Sequence, residues 1–399
     1  MERTLAQSEV LQVRSAGRAS TSYCPRYAGP QAESTRWAFS GGCNSRAPNL
    51  RRSERQVLRA AAPEQAETSL ESIATTEDSL AQPEKIRKVP GRQTYRPASF
   101  QELVKDATTS VKNAIKDGLT RMEVEFPALP GNIDGYKGAS DWFIDSNIQL
   151  ALAASKMVRA DSGKRVHIVV PDGGEYNRSY KMFKAALEAA DGISMGHLKE
   201  NSKSVFSGFN FFGSVPDTDA ETLSQAARKA DLFIVVNAST IELPDVERYI
   251  AETVGDRPLV LWNLELDTLR ADLGLLGFPP KELQYRFLCQ FTPVFYIRQR
   301  DYSKSVAVAP FIINYSGCIF REYPGPWQVM LRQDNGEYAC IAEDVRRYNL
   351  GEAKEELMSA MGLDTEVEGS AMQFLRRGYK RSTWWEDAKD VESVDSWRR

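Results

Sequence analysis

Apolar and polar residues follow different patterns in the two halves of the chain. Between residues 99 and 290, short runs of consecutive apolar residues are separated by stretches in which apolar residues recur every three or four positions. The runs predict buried strands, and the stretches predict amphipathic helices. Strands separated by helices indicate a mainly parallel sheet with helices on both faces, a Rossmann-like layering. The predicted strands are RMEVEFP, RVHIVVPD, GISMGHL, DLFIVVNAS and RPLVLWNLEL.

The helix that opens this region has signals at both of its ends. Ser99 fits the N-cap position, Glu102 lies three positions later as its capping-box partner, and Gly118 ends the helix. The same spacing predicts the apolar face, which consists of Leu103, Ala107, Val111 and Ile115.

Beyond residue 290 the pattern becomes a series of short strand-like segments joined by turns. The dipeptide Asn335-Gly336 between two such segments is a strong hairpin signal. We therefore expect an α/β fold whose parallel sheet continues into an antiparallel C-terminal meander. The predicted segments are VFYIRQ, SVAVAPFIINY, GCIFREYP, WQVMLRQ and EYACIAE.

These patterns predict a single α/β domain over residues 93–388. We divide it into an α/β part over 93–290, an antiparallel part over 291–345 and a helical part over 346–388, followed by an acidic tail over 389–399. No apolar run approaches the roughly 18 to 20 residues that a membrane-spanning helix needs, so we expect no transmembrane segment.

The N-terminal region has a composition of its own. Residues 1–62 hold ten Arg and four Glu but no Lys or Asp, which predicts an organelle transit peptide, although a disordered basic tail has the same composition. Residues 63–92 are polar and predict a linker. Removing the ten basic and four acidic groups of 1–62 takes the formal net charge from −3 to −9.

Composition and motifs exclude several functional classes. An acidic domain does not favour nucleic-acid binding, which depends on cationic groups. There is no GxGxxG or P-loop motif, and two histidines leave no obvious metal or nucleophile site. The scattered Cys289, Cys318 and Cys340 indicate a reducing compartment. We expect neither cofactor nor metal, and no enzymatic activity.

The strongest polar constellation lies where two predicted strands end. Ligands of open parallel sheets bind outside the carboxyl ends of the strands. A pocket there would serve an enzyme or sensor that binds a nucleotide or small metabolite. Alternatively, Asp267 caps the next helical turn while Arg270 pairs with Asp272, which gives a structural corner. The candidate residues are Asn237, Asn263, Glu265, Asp267 and Arg270.

Two aromatic segments are candidates for contacts with a partner protein. The segment FNFF contains Phe209, Phe211 and Phe212, and a basic stretch precedes Trp384 and Trp385. Aromatic residues and arginine are enriched at interface hot spots. The alternative for both tryptophans is that they fold back and close the core.

The chain resembles a family of plant, algal and cyanobacterial proteins that share a domain of unknown function. The resemblance rests on VEFPALPGNIDGYKGASDWFIDSNIQLA, NLELDTLRADLGLLGFPPKELQYRFLCQFTPVFYIRQRDYSKSVAVAP, PGPWQVMLRQDNGEYACIAE, LGEAKEEL and FLRRGYKRSTWW. It implies an auxiliary factor of photosystem II assembly in the chloroplast stroma, or loosely attached to the thylakoid. The implied partners are a chlorophyll-binding core antenna subunit and other assembly factors. The resemblance implies no catalytic residue.

Overall fold

The computed structural model describes residues 94–127, 141–199, 217–305, 312–363 and 382–399. The predicted transit peptide and linker lie outside these ranges. The described helices are α1 (Phe100–Lys116), α2 (Asp141–Ser162), α3 (Gly173–Glu188), α4 (Asp217–Lys229), α5 (Leu243–Tyr249, continued by a π-helical turn, Ile250–Val254), α6 (Leu266–Asp272), α7 (Glu282–Arg286), α8 (Leu350–Ala360) and α9 (Trp384–Asp387). The described strands are β1 (Arg121–Glu125), β2 (Val166–Val170), β3 (Ile193–His197), β4 (Leu232–Val236), β5 (Leu259–Trp262), β6 (Thr292–Ser305), β7 (Ile312–Glu322), β8 (Trp327–Arg332) and β9 (Tyr338–Asp344).

The described strands form one nine-stranded sheet in the order β3-β2-β4-β5-β1-β6-β7-β8-β9. The strands from β3 to β6 in this order pair in parallel, and β6 to β9 pair antiparallel. This arrangement confirms the predicted fold class. Strand β1 lies between β5 and β6 near the centre of the sheet, so both of its faces are covered.

Helix α1 begins where the sequence predicts. The Ser99 side chain accepts a hydrogen bond from the Glu102 amide at 3.2 Å. The Glu102 carboxylate accepts from the Ala98 amide at 2.6 Å, so the reciprocal half of the capping box is displaced by one residue. The helix ends at Lys116, two residues before Gly118.

Two of the predicted antiparallel segments belong to one strand. SVAVAPFIINY and GCIFREYP meet within β7, which pairs with β6 from Ile312 to Glu322. In the sequence, Gly317 suggests a break between two strands. In the structure, a Cβ at this position would lie 2.6 Å from Leu357 Cδ1 of α8. The glycine therefore allows α8 to pack closely on a continuous strand. The hairpin predicted at Asn335-Gly336 joins β8 to β9.

Strands β2, β4 and β5 send alternate side chains into two separate apolar cores. One core contains side chains of α1, α2 and α3, and the other contains side chains of α4, α5 and α6. On β1, Met122 and Val124 enter the first core. Because side chains alternate along a strand, Glu123 and Glu125 point to the opposite face, which α6 covers.

The segment 389–399, expected as an acidic tail, packs against the domain. Trp397 is buried and lies in one cluster with Cys289 and Trp385. The Arg398 side chain donates to the carbonyl groups of Trp385 and Glu386 at 3.1 Å. The buried indole supplies the apolar contact that holds this short polar segment in place.

Within the described ranges, no helix has the length and apolar character needed to cross a membrane.

Candidate functional site: the strand-end corner and its buried charges

Three residues at the carboxyl ends of β4 and β5 adopt the left-handed backbone conformation. Asn237, Asn263 and Glu265 have φ angles of 61°, 54° and 57°. These are the non-glycine residues with positive φ in the described part of the chain, and all three are among the candidates of the sequence analysis. Asparagine tolerates this conformation better than glutamate does, and such backbone strain concentrates at functional or tightly constrained sites.

An asparagine network stabilises these strand ends. The Asn147 amide of α2 donates to Asn237 Oδ1 at 3.2 Å, and Asn263 Nδ2 donates to Asn147 Oδ1 at 3.0 Å. Asn263 Oδ1 accepts from the Phe126 amide at 3.1 Å, while the Glu265 amide donates to the Glu125 carboxylate at 2.8 Å. The network joins α2 to the ends of β1, β4 and β5.

Asp267 lies in the first turn of α6 and is the centre of a buried charge cluster. Its carboxylate accepts hydrogen bonds from Arg270 at 3.0 Å, Arg300 at 2.8 Å and Arg347 at 2.9 Å. The Tyr296 hydroxyl donates to the same carboxylate at 2.9 Å. Three guanidinium groups and a phenol thus share one carboxylate that is inaccessible to solvent.

The surrounding arginines decide the protonation state of Asp267. Burial alone would raise the pKa of this carboxyl, but Arg347, Arg300 and Arg270 together hold the pKa well below its usual range. Asp267 is therefore ionised at neutral pH. Its charge compensates the buried arginines and is not available to an external ligand.

The two local contacts predicted for this corner are both wrong. Arg270 pairs with Asp267 and not with Asp272, whose carboxylate accepts from Thr240 at 3.1 Å. Arg270 also donates to Gln284 at 3.0 Å. Asp267 is the second residue of α6, and the N-cap position is held by Glu265. The Asp267 carboxylate points into the cluster and does not cap the helix. Spacing of three along a helix brings side chains together, whereas spacing of two does not.

Glu123 of β1 lies beside the cluster without a hydrogen-bond partner. Its side chain is 1% exposed, and neither carboxylate oxygen makes a hydrogen bond. The nearest cation is Arg270, with Nη2 3.8 Å from Glu123 Oε2. Burial raises the pKa of Glu123 to about 7, although Arg270 and Arg347 oppose the shift. Glu123 therefore changes between its protonated and ionised forms near neutral pH.

The comparisons with known proteins identify the domain. A model of the family described as Domain of unknown function (DUF1995) matches residues 97–355. The chain belongs to this family. A solved structure described as "Structural Basis for DNA Unwinding at Forked dsDNA by two coordinating Pif1 helicases" aligns with 62% of this chain and 78% of its own, at 11% identity. Its TM-score of 0.21 is too low to carry any argument.

The family match includes the centre of the charge cluster and excludes part of its covering layer. Glu123, Asp267, Arg270 and Arg347 lie within the matched residues, whereas Trp397 lies after them. The Trp397 ring lies under the guanidinium groups of Arg270 and Arg347, at 4.9 and 5.1 Å from its centroid. The C-terminal segment thus covers charges that belong to the DUF1995 domain.

The two tryptophans of the predicted docking patch have different environments. Trp385 is buried against Cys289 and Trp397, as the fold-back alternative predicts. Trp384 is half-buried, and its ring lies 4.8 Å from Lys281 Nζ and edge-on to Tyr285. The other predicted aromatic contacts, Phe209, Phe211 and Phe212, lie outside the described residues.

Several residues of the cluster are absent from the sequence-based candidates. Glu123, Tyr296, Arg300 and Arg347 come from distant parts of the chain. A signal for some of them exists in the sequence, since MEVE and YIRQR place charged or hydroxyl groups at alternate positions of predicted strands. That alternation is usually typical of a solvent-facing side, so it does not reveal a buried polar face.

The cluster has the geometry of a structural element more than of a reaction centre. The described residues contain no group of His, Cys, Asp or Glu side chains arranged to hold a metal. Asp267 binds Arg270, Arg300 and Arg347 in place of a ligand. The arrangement joins α6 to β6 and to the segment that precedes α8.

Proposed function

We propose that this protein is a chloroplast assembly factor that helps a chlorophyll-binding core antenna subunit enter photosystem II through transient protein contacts. Support comes from the resemblance to the chloroplast proteins called Low Photosystem II Accumulation, which extends from about Tyr95 to Trp385. The Arg-rich segment 1–62 supports import into the chloroplast, and action in the stroma or on the thylakoid surface.

The observation that carries this proposal is an apolar loop between α6 and α7. Its side chains Leu275, Leu276 and Phe278 are exposed, and Leu276 is fully accessible to solvent. Soluble proteins seldom leave several large apolar side chains exposed together, and such patches mark interaction sites. The neighbouring charged side chains of Asp267 and Arg270 on α6 are buried. The apolar loop is therefore the part of this corner that a partner protein can contact.

Internal hydrogen bonds hold the backbone of this loop in one conformation. The Gly274 amide donates to the Pro279 carbonyl at 2.8 Å, and the Phe278 amide donates to the Leu275 carbonyl at 3.0 Å. Gly274 and Gly277 have positive φ angles of 81° and 87°, which the turn geometry requires. A loop that is already ordered loses little conformational entropy when it binds a hydrophobic client.

Changing Leu276 to aspartate is expected to weaken client binding by at least about tenfold, because a charge replaces an apolar contact. The fold should be unaffected, since Leu276 is exposed. The measurement is affinity purification of the tagged, processed protein from gently solubilised chloroplasts, followed by quantitative mass spectrometry. Met182→Asp is the matched control, because Met182 is an exposed apolar residue on α3.

The proposal requires early photosystem II subunits or assembly factors to accompany the wild type and the Met182 variant but not the Leu276 variant. If Leu276→Asp recovered the same subunits in the same amounts, the loop would not be the contact. If crosslinked wild type recovered no photosystem II protein in several detergents, the assembly role itself would be rejected.

A second candidate function, binding of a nucleotide or small metabolite, is favoured by the strained strand ends. Asn237, Asn263 and Glu265 lie where ligands bind in open parallel sheets. Asn237→Gly keeps the left-handed backbone but removes the amide that bonds to Asn147 and to the Ile144 carbonyl, so stability should fall by about 1–3 kcal/mol while the fold is retained. A metabolite that raises the melting temperature of the wild type and not of this variant would support the pocket. Equal shifts in both proteins would exclude a contact with Asn237.

A further inference from the structure

A basic groove lies between the segment that precedes α8 and the C-terminal segment. It has a volume of about 620 Å³. A smaller pocket of about 30 Å³ adjoins it, since Arg346, Lys389 and Arg398 line both. None of the strand-end residues Asn237, Asn263 or Glu265 lines either one. The groove is therefore separate from the strand-end site.

The acidic side chains that line the groove and the adjoining pocket all have hydrogen-bond or ion-pair partners. Glu352 and Glu386 cap helices α8 and α9 through backbone amides. Glu392 accepts from Arg398 at 2.9 Å and from the Trp397 indole at 2.9 Å. Asp395 pairs with Arg399 at 2.8 Å. Glu392 and Asp395, the two acids of the groove itself, are thus paired with arginine, whereas Glu352 and Glu386 of the adjoining pocket keep their negative charge.

Two cations at the mouth of the groove are uncompensated. Arg346 and Lys389 are exposed. Among the described residues neither side chain has an ion pair or a side-chain hydrogen bond. Lys and Arg side chains of this kind are free to close on an anion that enters the groove.

A third cation reaches the adjoining pocket from the interior. Arg347 lines that pocket, and its side chain is 5% exposed. Its Nη2 binds Asp267, but its Nη1 has no hydrogen-bond partner. The guanidinium lies against the rings of Tyr296, Trp327 and Trp397, so Arg347 stays inside the domain and acts on the pocket through its charge.

We propose that this groove binds a phosphoryl group of a small molecule. Arg346 and Lys389 contact its oxygens at the mouth, while the buried Arg347 adds positive charge from behind the adjoining pocket. Guanidinium groups suit phosphate because they present several N–H donors to its oxygens. The groove has the size of ordinary small-molecule sites, so it accepts more than a bare ion.

The test is isothermal titration calorimetry of the processed protein at constant ionic strength. The probes are pyrophosphate and ATP, with malonate as a dicarboxylate control. We expect saturable one-to-one binding of pyrophosphate. Arg346→Ala with Lys389→Ala should weaken it by about tenfold for each cation removed, because charge-assisted hydrogen bonds are lost. Arg346→Lys alone should retain most of the affinity.

The matched control is Arg228→Ala with Lys229→Ala, which removes an exposed arginine and an exposed lysine from α4. This variant should bind pyrophosphate as the wild type does. Absence of saturable binding to the wild type, or equal affinity in the Arg346 and Lys389 double variant, would overturn the proposal. Malonate binding as tight as pyrophosphate binding would overturn the phosphoryl assignment. ATP that binds more tightly than pyrophosphate would support a nucleotide as the ligand.

The proposal does not depend on the assembly function. Loss of pyrophosphate binding in the double variant is measured with purified protein, whereas the assembly function is judged by recovered photosystem II subunits. Either can fail while the other holds.

Discussion

Asp267→Asn is expected to lower the free energy of unfolding by about 3–5 kcal/mol, because it leaves buried arginines without their counter-charge. The substitution keeps the shape of the side chain but removes the charge that Arg270, Arg300 and Arg347 share. The measurement is urea unfolding followed by tryptophan fluorescence, which reports on the buried Trp397 next to the cluster.

The matched control for this change is Asp272→Asn on the same helix. Asp272 accepts one hydrogen bond from Thr240, and an asparagine carbonyl can still accept it, so we expect a loss of less than about 1 kcal/mol. If Asp267→Asn were as stable as the wild type, the charge cluster would not be structural. The strand-end pocket would then become the better account of this corner.

The pH dependence of Asp267 has a definite sign. Its pKa in the folded protein lies well below that of the unfolded chain, which is about 3.9. Its contribution to stability is therefore fully present above the unfolded pKa and is lost as the pH falls towards the folded one. Wild type should lose stability in acid more steeply than Asp267→Asn does.

Local patterns were sufficient to predict the order of helices and strands. The Ser99 cap, the Asn335-Gly336 hairpin and the apolar runs of β2, β4 and β5 each depend on residues close in sequence. The continuity of β7 could not be predicted, because Gly317 is required by contact with Leu357, 40 residues later.

The buried charges show a different limit of sequence reasoning. Asp267 and Arg270 are near each other in sequence and were selected as candidates, but Arg347 reaches them from 80 residues away. The alternation of RMEVE predicts a strand correctly. It does not show that β1 occupies the centre of the sheet, where its glutamates cannot face solvent. The position of a strand within a sheet is a property of the whole chain.

Glu123→Gln is expected to stabilise the protein at about pH 8, by about 3 kcal/mol. Glu123 is buried without hydrogen bonds, and its pKa is raised to about 7. The corresponding pKa in the unfolded chain is about 4.3. The folded protein therefore holds a proton that the unfolded chain releases, so wild-type stability falls as the pH rises between these two values and levels off above the higher one.

Glutamine removes this dependence because it is neutral at every pH and has nearly the same shape. The variant and the wild type should be equally stable near about pH 3, where Glu123 is protonated in both states, and should diverge as the pH rises. The measurement is the free energy of unfolding in urea across this range, with the exposed Glu188→Gln of α3 as a control that should not alter the profile. A loss of stability at high pH would mean that the Glu123 charge is needed against Arg270 and Arg347, and that their attraction outweighs the cost of burying it. The comparison thus decides whether the positive charge of the buried arginines is balanced by Asp267 alone or by Asp267 and Glu123 together.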